Sequence, residues 1–259
     1  MPHRIDVPYA LLALLLRPVM RVWTRPRWEG GEHLPREGGY VLAANHVSAV
    51  DPVAVAHFSY VNGQPPRILA KDSLFRVPVL GAVMRATRQV PVARGSRDAA
   101  SALTAAVRAV ERGDVVLIFP EATHTKDPQR WPMRGKTGVA RIALTTGCPV
   151  IPVGQWGLQD QASPGHPGVR ALPRPRVRVA AGPAVDLEDL RGRPLETAVL
   201  EEATERIMEA ITGLVAGVRG ETAPAVRHDP RRPAAAEPTA AAEQEAVEAG
   251  LEQTTQEER

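Results

Sequence analysis

Cysteine is almost absent from this chain. Cys148 stands alone among 259 residues, which excludes an internal disulfide, and its setting between Gly147 and Pro149 reads as a packed small residue rather than a nucleophile. Aromatic residues make up only 4%. With so few flat side chains, scattered arginines and no recognisable nucleic-acid module, nucleic acid is not expected as a partner. The seven histidines lie far apart, and no His/Cys/carboxylate spacing resembles a metal site, so neither metal nor cofactor is expected. Lysine is confined to Lys71, Lys126 and Lys136, leaving arginine to carry the basic charge. The triplet Gly135-Lys136-Thr137 ends like a phosphate-binding loop, but that motif needs glycine at position 130, where Arg130 stands.

No apolar run is long enough to span a bilayer. The uninterrupted stretch near the N-terminus, residues 7–16, is roughly half of the ~20 residues required. It does not read as a signal peptide either, because no small-residue cleavage site follows and Arg17, Arg21, Arg25 and Arg27 crowd its downstream side. As a helix it would gather Leu11, Leu12, Leu15, Val19 and Val22 near one face with basic residues close by. That pattern suits either shallow insertion into an anionic leaflet or packing on the domain's own core.

Charge divides the rest. From Glu221 onward there are 9 acidic and 4 basic residues, against 28 basic and 20 acidic before it, so a body of net +8 precedes a tail of net −5. The tail is rich in Ala, Pro and Glu and poor in bulky apolar residues, which predicts disorder. The expected organisation is an N-terminal membrane-associating helical segment over 1–24, one catalytic domain over 25–219 and a disordered acidic tail over 220–259. Within the body, short apolar runs at 40–44, 67–70, 89–92, 115–119, 150–153 and 177–181 read as strands. Stretches at 52–60, 77–85, 97–112, 137–146 and 195–218 read as helices between them. This alternation predicts a single α/β domain, with a mixed, mostly parallel central sheet flanked by helices.

The chemistry is concentrated in Asn45-His46-Val47-Ser48-Ala49-Val50-Asp51-Pro52. The apolar run before it reads as a buried strand, and Asp51-Pro52 reads as a helix start, with Asp51 as the cap and Pro52 at the first helical position. On a continuous helix His46 and Asp51 would point roughly 140° apart, so a contact between them requires the irregular backbone of a strand-to-helix turn. A carboxylate there would fix the imidazole tautomer and leave the other ring nitrogen free to take a proton from a hydroxyl. The alternative is a histidine that merely satisfies a buried loop.

Four blocks in order over residues 45–153 resemble the 1-acylglycerol-3-phosphate acyltransferases, the glycerolipid acyltransferase family. They are Asn45 to Pro52, Gln89 to Gly95 with its apolar strand ending in Arg94, the Val116-Leu117-Ile118-Phe119-Pro120-Glu121-Ala122-Thr123-His124-Thr125 run, and Pro149-Val150-Ile151-Pro152-Val153. Weaker flanks extend the resemblance from about residue 28 to 187. Two positions depart from the family pattern. Ala122 replaces a usual glycine, and His124 stands where the family often has an arginine, so Arg134 or Lys136 nearby could supply the missing charge.

The resemblance implies acyl transfer from acyl-CoA or acyl-carrier protein to the free hydroxyl of 1-acylglycerol-3-phosphate, giving phosphatidate in phospholipid synthesis. His46 would be the general base and Asp51 its orienter. Asn45, Lys71, Arg94, Gly95, Glu121 and Thr123 are the expected substrate-binding residues. Arg94 and Lys71 lead as phosphate ligands, and Glu121 is assigned to the glycerol hydroxyls or to holding Arg94 or His46. The expected setting is the cytoplasmic face of the cell membrane, peripherally bound to an anionic surface. Other readings are a different lysolipid or amphiphile as acceptor, a lipid-binding protein without catalysis, and a serine hydrolase built on Ser48.

Overall fold

The computed structural model describes residues 6–92, 96–162, 168–169 and 173–231. Seven strands form one sheet: β1 Arg25–Glu29, β2 Tyr40–Ala44, β3 Pro66–Lys71, β4 Val90–Val92, β5 Val115–Ile118, β6 Val150–Trp156 and β7 Arg176–Ala181. Their spatial order is β1-β7-β6-β2-β5-β3-β4. Every neighbouring pair is parallel except β6 with β7. This is the single, mostly parallel α/β sheet that the alternation predicts.

β2 lies at the centre, and all five of its residues are buried. A parallel strand covered on both faces needs apolar side chains at every position, and Tyr-Val-Leu-Ala-Ala supplies them. Val41 and Ala43 pack with Val116 and Val150 on one face. Helices α4 Ser96–Glu111, α5 Gly138–Thr146 and α6 Thr197–Arg219 cover that face, contributing Ala106, Ile142, Ile207 and Ile211 to the core. Tyr40, Leu42 and Ala44 point the other way, where α2 Asp51–Val61 supplies Ala54, Val55 and Phe58. Phe58 and Tyr40 are wholly buried, and truncating either aromatic would cost about 3–5 kcal/mol.

Residues 25–29 form a strand that the sequence reading leaves out. Arg25-Pro26-Arg27-Trp28-Glu29 has three charges and a proline in five residues, a composition that an edge strand tolerates and a central one does not. Pairing with β7 places Arg25 opposite Arg176.

Helix α1, Val7–Trp23, buries Tyr9, Ala13 and Met20 against the body and stacks Tyr9 on Tyr60 of α2 at 5.7 Å. Leu11, Leu14, Leu15, Val19 and Val22 face outward, with Leu14 73% exposed. Helix α3, Pro78–Ala86, packs beside α1 and likewise exposes Val79 and Leu80. Both ends of α1 are held. Asp6, at its start, accepts from buried Arg67 at 2.7 Å, while Arg174 donates to the carbonyls of Arg21 and Thr24 at its end. Among the described residues no helix is long and apolar enough to cross a membrane.

Of the segment expected as a tail, residues 221–231 are described. They fold back on the body through Arg134, which donates its backbone N–H to the carbonyl of His228, and through an Arg227–Glu205 ion pair. The rest of that segment, 232–259, lies outside the described residues.

Candidate active site

His46 and Asp51 meet where β2 gives way to α2. The Nδ1 of His46 is 3.0 Å from Oδ2 of Asp51, so Nδ1 carries the hydrogen and Nε2 is left as the acceptor. The same oxygen takes the backbone N–H groups of Val47 at 2.6 Å and Ser48 at 2.7 Å. Asp51 is wholly buried, and three donors on one oxygen hold that carboxylate in place. The helix start differs in detail from expectation. Val50 is the N-cap, α2 begins at Asp51, and no side chain caps it. The Asp51 carboxylate turns back onto the 46–48 loop instead, where imidazole and loop N–H groups compete for it successfully.

A second segment closes over the histidine. Phe119 follows β5 and stacks on the His46 ring at 4.3 Å between centroids. The chain then turns tightly, with the N–H of Ala122 donating to the carbonyl of Phe119 at 2.9 Å. Ala122 takes φ +59°, the left-handed conformation that favours glycine. The turn throws Glu121 inward. Its Oε1 accepts the N–H of His46 at 2.9 Å and its Oε2 the N–H of Met133 at 3.0 Å. Burial pushes its pKa up to about 8, against the pull of those two N–H groups. Thr125 adds a backbone bond to the carbonyl of His46 at 2.8 Å, and the His124 ring meets the His46 ring edge-on at 4.3 Å. Nε2 of His46 makes no hydrogen bond among the described residues, and the side chain keeps 16% exposure. The result is a base with one fixed tautomer, one free acceptor nitrogen and a backbone tied from two sides.

A family model described as Acyltransferase matches residues 25–156, half of the chain, and that span contains the whole of this corner. The chain belongs to the acyltransferase family. It is 34% identical over 125 residues to the 1-acyl-sn-glycerol-3-phosphate acyltransferase of Borreliella burgdorferi, covering 48% of each chain. It is 31% identical over 143 residues to a chloroplastic 1-acyl-sn-glycerol-3-phosphate acyltransferase of Brassica napus, covering 54% of this chain and 40% of that one. The chain thus spans about half the length, or less, of these curated relatives. In fold it is similar to the crystal structure of the 1-acyl-sn-glycerophosphate acyltransferase PlsC from Thermotoga maritima. The TM-score is 0.63 at 21% identity, covering 83% of this chain and 81% of that one.

In this family member the other expected site residues are unevenly placed. Asn45 is 1% exposed and its amide is engaged by β6: Gln155 donates its N–H to Oδ1 at 2.8 Å, and Nδ2 donates to the Gln155 carbonyl at 3.1 Å. The amide ties the end of β2 to β6 just before the His46–Asp51 turn, meeting backbone groups there. Lys71 ends β3 and is exposed. Ile68 and Leu42 share Leu117 as register partner, so Lys71 stands level with Asn45, two strand spacings or roughly 10 Å to the side. Thr123 is exposed beside the turn. Arg94 and Gly95 lie outside the described residues.

Ser48 is buried; its hydroxyl donates to the carbonyl of Gln161 and accepts the N–H of Val50 at 3.2 Å, with no bond to His46. Arg134 does not replace charge at 124, because Glu201 and Asp229 hold its guanidinium at 3.1 and 3.2 Å. Phe119, Thr125 and Gln155 are the positions that sequence reasoning passed over. The first two sit inside the third block, and only the Phe119 ring had a visible signal there. Among the described residues no group of three or more His, Cys, Asp or Glu could hold a metal ion.

Proposed function

We propose that this acyltransferase moves a fatty acyl group from a thioester to the free hydroxyl of 1-acylglycerol-3-phosphate, forming phosphatidate. The observation that carries the reading is the 3.0 Å contact of His46 Nδ1 with Asp51, which leaves Nε2 as the one unengaged base of the corner. Nε2 takes the acceptor's hydroxyl proton as its oxygen attacks the thioester carbonyl. Asp51 stabilises the imidazolium that forms, and the proton passes to the departing thiolate. The engaged hydroxyl of Ser48 supports direct transfer without an acyl-enzyme. The exposed end of β3, level with the turn, supports Lys71 as the partner of the acceptor's phosphate.

The outward leucines and valines of α1, beside Val79 and Leu80 of α3 and the exposed Arg17 and Arg21, support a peripheral seat on an anionic bilayer. We place that seat on the cytoplasmic leaflet, where anionic lipids attract basic helices.

The test is release of free thiol from long-chain acyl-CoA, with and without lysophosphatidate. Acceptor-dependent release should fall by about 10²–10⁴-fold in His46→Ala and stay near the parent rate in Ser48→Ala. Unchanged release in a folded His46→Ala protein would sink the mechanism. Loss in a folded Ser48→Ala protein would point to a covalent intermediate.

A further inference from the structure

One cleft lies beside the catalytic corner and belongs to no part of it. Its volume is about 630 Å³, and Arg25, Arg174, Arg176, Arg178 and Arg219 line it, together with Trp156. The arginines come from β1, the run into β7, β7 itself and the end of α6, so they are distant in sequence and meet only in the fold. β6 and β7 are antiparallel and β1 is parallel to β7, which brings the starts of β7 and β1 to the same sheet edge as the end of β2.

The positive charge there is cancelled only at Arg219, which pairs with Glu221. Arg25 and Arg176 are exposed and make no ion pair among the described residues. The described run from 173 to 185 has no acidic residue. Asp160, the acid on the rim, is held by Arg130 at 2.7 Å. Arg178 donates to the carbonyl of Val218 at 3.0 Å and so covers the negative end of α6. Arg219 is the fixed element. It is sandwiched between Trp131 and Trp156 at 3.9 and 4.3 Å, is 93% buried at the side chain, and pairs with Glu221; its buried Nε has no partner among the described residues. Gly157 shapes the floor: at φ +110° a Cβ there would come within 1.9 Å of the Arg176 carbonyl.

We infer that this cleft binds the phosphorylated nucleotide of the acyl donor, a coenzyme A thioester, and the inference rests on the acyl-transfer reading above. A pyrophosphate and a 3′-phosphate offer several negative charges to paired guanidinium groups, and an indole beside them suits an adenine ring. The reach fits. From β2 to β1 is three strand spacings, about 15 Å, and a phosphopantetheine arm spans as much as roughly five residues of extended chain. The thioester can therefore lie at His46 while the nucleotide sits among the arginines. An acyl-carrier protein, which has no nucleotide, would leave the cleft without this occupant.

Calorimetric titration of the full chain with adenosine 3′,5′-bisphosphate tests the site without any chemistry. The parent protein should bind it, and the Arg25→Gln/Arg176→Gln double variant, altered only at exposed side chains, should bind about tenfold or more weakly. KM for acyl-CoA should rise in step, with KM for lysophosphatidate unmoved. Absence of nucleotide binding by the parent protein overturns the proposal, as does equal binding by the double variant. Inorganic phosphate that displaces the nucleotide at equal concentration overturns the donor assignment and leaves a generic phosphate site. Nucleotide binding that passes these tests in a protein inactive towards lysophosphatidate would uphold the cleft and refute the acceptor.

Discussion

The corner around His46 and the arginine cleft share one edge of the sheet and are built in opposite ways. In the corner, polar atoms are buried and bonded: Asp51 Oδ2 takes three donors, and each oxygen of Glu121 takes one backbone N–H. In the cleft, Arg25 and Arg176 are exposed and make no ion pair among the described residues, while the arginines beside them are held chiefly by backbone carbonyls. A base must be held still relative to the atom it deprotonates, because small misplacements cost large factors in rate. A phosphate-bearing partner is tolerant of geometry and rewards summed charge. Rigidity therefore belongs to the first region, and excess charge to the second.

The sharpest way to break this contrast is Asp51→Asn. The carboxylate's other oxygen, Oδ1, is buried without a partner among the described residues, so an amide nitrogen can occupy that place while its oxygen keeps the loop N–H groups. Turnover should fall by roughly a hundredfold or more while the melting temperature shifts little. Equal loss of fold and activity would make Asp51 a structural residue only.

Glu121→Gln probes the second support. Burial raises the folded pKa from 4.5 to about 8, so between those values the folded chain holds a proton that the unfolded chain has released. Stability from this group is fully present below about pH 4.5 and declines as pH rises through about 8. In urea titrations across that window the parent should lose stability with rising pH, and the glutamine variant should show a flatter profile. The variant should also be weaker at its best pH by about 1–3 kcal/mol, since an amide N–H₂ would oppose one of two backbone N–H groups. A parallel pH profile in both proteins would refute this account of the carboxyl.

The smallest effect is at Ala122. Its left-handed φ of +59° costs an L-residue energy that glycine avoids, and the exposed methyl has little packing to lose. Ala122→Gly should raise stability by up to about 1 kcal/mol, read as a higher urea midpoint. A loss of stability would show that the methyl makes a contact worth more than the strain.

The central strands were legible because burial on both faces forces continuous apolar runs, as in 40–44 and 150–153. Edge strand β1 was not, since Arg25-Pro26-Arg27 can pair on one side without looking like a strand. The His46 and Asp51 pairing was suggested by their spacing at a strand-to-helix turn together with the family resemblance, but the use of one oxygen for three donors depends on a turn that no pattern specifies. The bonds of Asn45 were hidden for a related reason. Its partner, Gln155, is 110 residues away, and sequence carries no sign of that bond. The cleft was the least legible of all, because Arg25, Arg176 and Arg219 converge only through the order of β1, β7 and β6.

The two anchors of α1 have a mechanical consequence. Arg67 clamps its first turn near the start of β3, and Arg174 clamps its last turn beside the arginine cleft, so the helix is a beam fixed at both ends rather than a tethered paddle. If α1 seats on a bilayer as proposed, such a beam would set the height and tilt of the whole body, and a lipid headgroup would have to rise to a site of constant elevation that thermal rocking of the helix could not bring nearer.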